Sequence, residues 1–478
     1  MSKFMQSSLS ASKSSGSSND PLEAFLRKHL AVSFIFVQWI DLLGQLRNRC
    51  LPVAEFKRLY QANDSISVSK GNLGTLQNDG LTPVCDPVGS IYIRPAYDAT
   101  SLRLMLPMQM KHGSTKSAAT IMARYVDENG AGLSLCPKSA LYNSISEAKA
   151  NYGINFLVGF EVEVVFCKPK LRRKRDEDAD DDEAEDEFEP LDTVHAWSTF
   201  SDEQYTESMP MMLSIATSLH EIGIEIQQVH SESGRGQYEF VLPPQPALHA
   251  VDTLMQARQC IRQSAASRKL VATFHPQPFG GIGTAAHAHF SFNSETKSAK
   301  ELGIFETRFV AGVLEHINSI CAITMPQPVS YNRVRDSAWM SGTWIAWGTQ
   351  NREVPLRKSG HLRWEFRCID GFANMYLALH AIIAAGLRGV REKFELRIFD
   401  CGRDPATLTE QQRAKLGITR KLPATIDQAL AYIARDGHLD AAMSPGLLKH
   451  YLAMKHSEQA MLKGMESDQR RKWLIQRY

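Results

Sequence analysis

The chain has no CxxC pair among its eight cysteines, no apolar run long enough to span a bilayer, and no excess of either charge. Each absence excludes something. Cysteines scattered at Cys50, Cys85, Cys136, Cys167, Cys260, Cys321, Cys368 and Cys401 do not make a disulfide framework or a zinc site. They read as buried thiols in a reducing compartment. The longest early apolar stretch, "AVSFIFVQWI" at 31–40, falls well short of the roughly 20 residues that a membrane helix needs. Lysine and arginine total 54 against 52 acids, a net charge of +2, so no basic field marks a nucleic-acid surface. The opening "MSKFMQSSLSASKSSGSSND" lacks the apolar centre of a signal peptide, and residues 1–19 are expected to be a disordered tail. A cytoplasmic protein with neither membrane nor nucleic-acid partners is the expectation.

What is present is material for a large core: 478 residues, 43% of them hydrophobic, enough for two or three domains. "PLEAFLRKHLAVSFIFVQWIDLLGQLRNRCLP" predicts a short helix, a strand, a turn at Asp41–Gly44 and a second strand. Further short strands and turns suggest a small mixed domain over 20–115. From there strands alternate with helices to the end, giving a catalytic body over 116–478 and an α+β chain overall. One segment, 168–190, begins basic and then carries eleven acids between Asp176 and Glu189. It is expected to be a disordered surface insertion.

Four stretches place ionisable groups at strand spacing, where residues two apart share a face. "GFEVEVVF" does so with Glu161 and Glu163, and "GTAAHAHFSF" with His287 and His289. "RWEFR" alternates Arg363, Glu365 and Arg367 with Trp364 and Phe366, and "HSESGRGQYEF" holds Glu232 and Glu239 about a turn. Taken singly, each reads as a solvated face or a ladder of ion pairs. Together, five carboxylates and an imidazole would repel one another unless divalent cations neutralised them. Carboxylate-rich sites with one imidazole suit Mg²⁺ or Mn²⁺ more than zinc. Such ions surrounded by arginines are equipment for phosphoryl transfer from ATP.

The order of these motifs, with "SYNRV", "NREVPLR" and "RWEFRCIDGFANMYLALHAIIAAGLRGV", resembles the glutamine synthetase superfamily. The resemblance is to its type I branch and the γ-glutamyl-amine and polyamine ligases related to it, and it runs from about residue 30. It implies an N-terminal β-grasp domain and a catalytic domain with a curved antiparallel sheet and helices. It also implies ATP and Mg²⁺ or Mn²⁺ as cofactors, and stacked hexameric rings with sites between subunits. Carried over position by position, Glu163, Glu232 and Glu239 match the ligands of one metal, and Glu161, His287 and Glu365 those of the other. Arg352 matches the arginine on the transferring phosphoryl group. His289, Ser291, Arg357 and Arg363 match nucleotide-side residues. Gly283, His287, Arg333 and Arg367 match those bordering the substrate carboxylates, where a guanidinium binds bidentately.

Departures from the pattern concern the amine. The family holds ammonium with an aspartate from a neighbouring subunit and a flap glutamate. Here Ser67, in "SISVSKGN", stands near the first position, and Trp339 or Met340, in "RVRDSAWMSGTW", near the second, with Asp336 the only acid. In the substrate loop "GGIGTAAH", Ile282 replaces a polar residue. The resemblance therefore implies an ATP-dependent ligase joining a carboxylate, expected to be glutamate, to an organic amine through an acyl phosphate. Glutamine synthetase proper and a catalytically silent structural relative remain open.

Overall fold

The alternation in "GFEVEVVF" governs the architecture of the larger half. In a computed structural model, which describes residues 20–109, 115–170, 187–192, 196–281 and 283–478, this motif lies within a sixteen-residue strand, Asn155–Lys170. Its even-numbered side chains Phe156, Val158, Phe160, Val162, Val164 and Phe166 all enter the main core. Glu161 and Glu163 point the other way, because successive side chains alternate across a strand.

Two sheets organise the described residues. The first holds β1 (Val32–Ile40), β2 (Leu46–Pro52), β3 (Ile66–Ser69), β4 (Ser90–Pro95), β5 (Arg103–Leu104), β6 (Met108–Gln109) and β7 (Thr115–Val126). Its order is β2-β1-β7-β4-β3, with β1 and β7 parallel and the other pairs antiparallel. The second holds β8 (Asn155–Lys170), β9 (Glu187–Pro190), β10 (Gln228–Ser231), β11 (Gln237–Val241), β12 (Gln245–Pro246), β13 (Val271–Thr273), β14 (Ala288–Asn293), β15 (Trp347–Thr349), β16 (Leu356–Gly360) and β17 (Arg363–Phe366). Along β10-β11-β8-β14-β17-β16-β15 every pair but the last is antiparallel. The chain is thus α+β, and the helix, strand, turn and strand expected at its start are Pro21–Lys28, β1, Asp41–Gly44 and β2.

Two expectations need correction. The first sheet does not stop at 115: β7 pairs with β1 along its apolar run and carries the sheet to Val126. The segment 168–190 is not loop throughout either. Lys168–Lys170 and Glu187–Pro190 are the paired ends of β8 and β9, with Phe188 buried against Val165, Cys167 and Ile475. An apolar anchor thus offsets the acids beside it. Residues 171–186 and the tail 1–19 lie outside the described residues. Among the cysteines, six are buried, but Cys50 is exposed and Cys85 half-buried. No helix among the described residues is long and apolar enough to cross a membrane.

Helices back the second sheet, chiefly Pro137–Tyr152, Ala247–Ala266, Ala299–Thr324 and Met375–Arg391. The last two cross in backbone contact: a Cβ on Gly312 would lie 2.3 Å from the Ala385 carbonyl, and one on Gly389 2.3 Å from the Arg308 carbonyl. Backbone atoms cannot swing aside as a side chain can, so overpacking is costly here. Gly312→Ala is expected to cost about 1–3 kcal/mol or more, read as a lower urea midpoint. A midpoint like that of the unaltered chain would contradict this contact.

The first sheet is tied to the larger half of the chain through the turn at Asp41–Gly44. The Asn374 amide donates to the Asp41 carbonyl at 2.8 Å, and the Tyr478 hydroxyl to the Leu43 carbonyl at 3.1 Å. The turn that joins β1 and β2 is thereby fastened to the body carrying the cavity.

Candidate active site

Strand register brings the acids together. In the β10–β11 hairpin His230 lies opposite Glu239, and across β11–β8 Glu239 lies opposite Glu163. Like charges facing each other across a ladder destabilise it, so this pairing calls for a cation. On the other side of β8, β14 sets His289 opposite Glu365 of β17, which in turn faces Arg357 of β16.

The result is a cavity of about 920 Å³ lined by Glu161, Glu163, Glu232, Glu239, His287 and Glu365. Gly283, Arg333, Arg352, Arg357, Arg367, Trp339 and Met340 line it too. A smaller cavity of about 320 Å³, sharing Glu161 and Gln228 with the first, is lined by His289, Ser291 and Arg363. Ser67 is exposed on β3 and lines neither, so any part it plays would be at the cavity of another copy. Ile282 lies outside the described residues. Asp336 is occupied within its own loop, accepting from the Thr343 amide and hydroxyl at 2.6 and 2.8 Å.

The donor atoms form overlapping clusters. Those of Glu161, Glu163 and His287 lie within 4.8 Å of one another, as do those of Glu161, His289 and Glu365, and those of His230, Glu232 and Glu239. His287 Nδ1 is 2.6 Å from Glu161 and 3.5 Å from Glu365. His289 and His230 therefore sit among the donors, although the sequence reading placed one on the nucleotide side and did not single out the other. His230 is two residues from Glu232, the spacing that identified the other pairs, and was legible on that ground. Gln237 was not: its amide donates to Glu163 at 2.7 Å, a contact that only the hairpin creates.

Electrostatics separates the acids. Burial and the neighbouring Glu232 push Glu163 up to about 8. Burial and the surrounding Glu161, Glu163, Glu232 and Glu365 push Glu239 up to about 10. Burial also opposes ionisation of Glu161, but hydrogen bonds from His287 and His289 outweigh it and hold this acid well below the usual range. Buried acids short of counter-charge, with three-donor clusters of oxygen and imidazole, fit divalent ions of the Mg²⁺ or Mn²⁺ kind. The arginines are short of anions. The Nε atoms of Arg333, Arg357 and Arg367 are buried without a hydrogen-bond partner among the described residues, while Arg333 is pinned by the Arg367 and Ile369 carbonyls at 2.9 and 3.2 Å. Arg352 is exposed within the cavity.

A pH dependence follows, with its sign. Glu163 and Glu239 have folded-state values above the usual carboxylate value near 4.3, so the ion-free chain loses their contribution as pH rises from about 5 towards 8 and beyond. Divalent ions displace those protons. The thermal stabilisation by added Mg²⁺ or Mn²⁺ is expected to be larger near pH 8 than near pH 6. Equal shifts at both would count against carboxylate binding.

The chain is similar to several known proteins. Residues 134–474 match the family model described as glutamine synthetase, catalytic domain. Protein fluG of Emericella nidulans is 38% identical over 97% of this chain, which spans 50% of that protein's length. The gamma-glutamylpolyamine synthetase GlnA3 of Streptomyces coelicolor is 29% identical over 72% of this chain and 73% of its own. The glutamine synthetase of Methanocaldococcus jannaschii is 26% identical over 89% of this chain and 91% of its own. Among solved structures, a novel glutamine synthase homolog superposes with a TM-score of 0.74 at 23% identity, covering 94% of this chain and 99% of its own. A GmaS/ADP complex does so at 0.74 and 22%, covering 96% and 100%. At these identities the structures speak for the fold.

Proposed function

Because the chain belongs to the glutamine synthetase family by its match over 134–474, we propose that it is an ATP-dependent ligase joining a carboxylate to an organic amine, with glutamate as the acid. The observation that carries this reading is the meeting of Glu161, Glu163, Glu232, Glu239, Glu365 and His287 with Arg333, Arg352, Arg357 and Arg367 around one cavity. Nothing structural requires so many acids around one cavity, where their burial is costly.

In the proposed reaction a γ-carboxylate oxygen attacks the terminal phosphorus of ATP. The bond to ADP breaks and an acyl phosphate forms. The amine nitrogen then attacks the carbonyl carbon; the C–O bond to phosphate breaks, releasing phosphate and a proton. Divalent ions, held by Glu161, Glu163, Glu232, Glu239, His287 and Glu365, would neutralise charge on the phosphoryl oxygens. Arg333 and Arg367 would hold the substrate carboxylates through their unpartnered Nε–H groups. Arg352 would meet the transferring phosphoryl group, whose charge grows on the way to the transition state. His289, Ser291, Arg357 and Arg363 would border the nucleotide. An organic amine is favoured over ammonium because the Trp339 ring is 72% exposed and lines the cavity, an apolar wall that ammonium does not need. We take the working assembly to be two stacked hexameric rings, which a molar-mass measurement by light scattering tests.

The experiment is phosphate release from ATP with Mg²⁺ and glutamate, screened over ammonium, ethanolamine, polyamines and aromatic amines. Release with organic amines alone is the expected result. Release with ammonium alone would make the chain a glutamine synthetase, and none with any pair would overturn the ligase reading.

A further inference from the structure

Glu353 has no task in the reaction just described, yet it lines the same cavity. It follows Arg352 in sequence and is 9% exposed. One carboxylate oxygen, Oε1, accepts from the Trp339 amide at 2.7 Å. The other, Oε2, is buried and has no hydrogen-bond partner among the described residues. A carboxylate removed from water with one oxygen unfilled is a costly arrangement unless a cation completes it.

The loop that Glu353 holds is strained and supported from several sides. Ser337, Trp339 and Ser341 have φ of 56°, 57° and 78°, the left-handed region that side chains avoid. Besides Glu353, the Arg367 guanidinium holds this loop by donating to the Trp339 carbonyl at 3.0 Å. Asp404, another acid of the cavity wall, accepts from the Ser337 hydroxyl at 2.6 Å. These bonds keep the Trp339 ring out in the cavity instead of letting it collapse onto the protein. Sparsely populated backbone held by several tertiary contacts is characteristic of ligand clamps.

We propose that Glu353 and the Trp339 ring form a subsite for the ammonium group of an alkylamine, the free Oε2 accepting its N–H groups while the ring covers the alkyl chain. A carboxylate beside an aromatic face suits an organic ammonium, which draws on charge pairing and cation–π attraction together. The subsite supplies a counter-charge that the sequence around Asp336 does not contain. It rests on the ligase reading for the reaction the amine enters, but not for the binding itself.

Calorimetry with the full chain, Mg²⁺ and ATP tests the subsite without turnover, with butane diamine and n-butylamine as probes and n-butanol as the uncharged control. Glu353→Gln is expected to weaken diamine binding about 30-fold, the order of a lost charge-assisted bond, with n-butanol not bound by either protein. Trp339→Ala, at an exposed side chain, is expected to weaken it about fivefold with an unchanged melting temperature, and decides the matter should Glu353→Gln fail to fold. In the phosphate assay both variants should raise the amine KM while the KM for ATP stays within about twofold. A role for Glu353 confined to holding the loop would shift both constants together. Amine binding unchanged in both variants, or absent from the unaltered protein, would overturn the subsite. Binding without phosphate release would leave the subsite standing and refute the ligase reading instead.

Discussion

Replacing Glu365 with glutamine is expected to slow phosphate release by on the order of a thousandfold, the scale seen when a charge-stabilising group is removed from a preorganised site. Glu365 is 1% exposed and meets two guanidinium groups and an imidazole. It accepts from Arg357 at 2.7 Å, accepts from Arg367, and lies 3.5 Å from His287. Burial works against its ionisation, but Arg367 and His287 prevail and hold its carboxyl below the usual range. It is therefore an anion at any working pH, available to an ion without first losing a proton. Glutamine keeps the volume and one acceptor oxygen but removes the charge, leaving Arg357 and Arg367 without their counter-ion. The thermal shift produced by Mg²⁺ should shrink in parallel. A variant retaining more than about a tenth of the rate would remove Glu365 from the proposed ion site.

The largest expected effect on stability lies away from the cavity, where three helices share one buried ion pair. Lys138, at the start of helix Pro137–Tyr152, donates to Asp252 of helix Ala247–Ala266 at 2.8 Å, and both side chains are nearly inaccessible. The Tyr376 hydroxyl of helix Met375–Arg391 donates to the other oxygen of Asp252. Lys138→Met is expected to cost about 3–5 kcal/mol, because it removes the ammonium that pairs with a buried carboxylate and leaves the Tyr376 hydroxyl as its hydrogen-bond donor. Adding Asp252→Leu should recover much of the loss, because replacing both ends with apolar groups removes the stranded charge. A single-variant loss below about 1 kcal/mol would mean that water reaches this pair.

Much of the chemistry was legible in one dimension because strands have a period of two. The spacing of Glu161 and Glu163, of His287 and His289, and of Arg363, Glu365 and Arg367 assigned these residues to one face. The structure places their alternates, such as Val162, Ala288, Trp364 and Phe366, in the core. The boundary at 115 failed because β7 is a central strand of the first sheet: it pairs with β4, β5 and β6 and also runs parallel to β1, more than eighty residues earlier, a partner that no local pattern reports. The ends of the acidic segment failed because charge density was read as loop, whereas the single Phe188 anchors β9 against β8.

Periodicity and residue type in the sequence determined which side chains leave the core and that the chain carries acids enough to hold divalent ions. Only the tertiary structure decided which of them meet: the Glu239–Glu163 pairing, the entry of His230 and His289 among the donors, and the placing of Glu353 beside Trp339. Local spacing is set by the geometry of a strand, which the order of residues reveals. Encounters between segments are set by register and loop closure, which depend on the whole core packing at once.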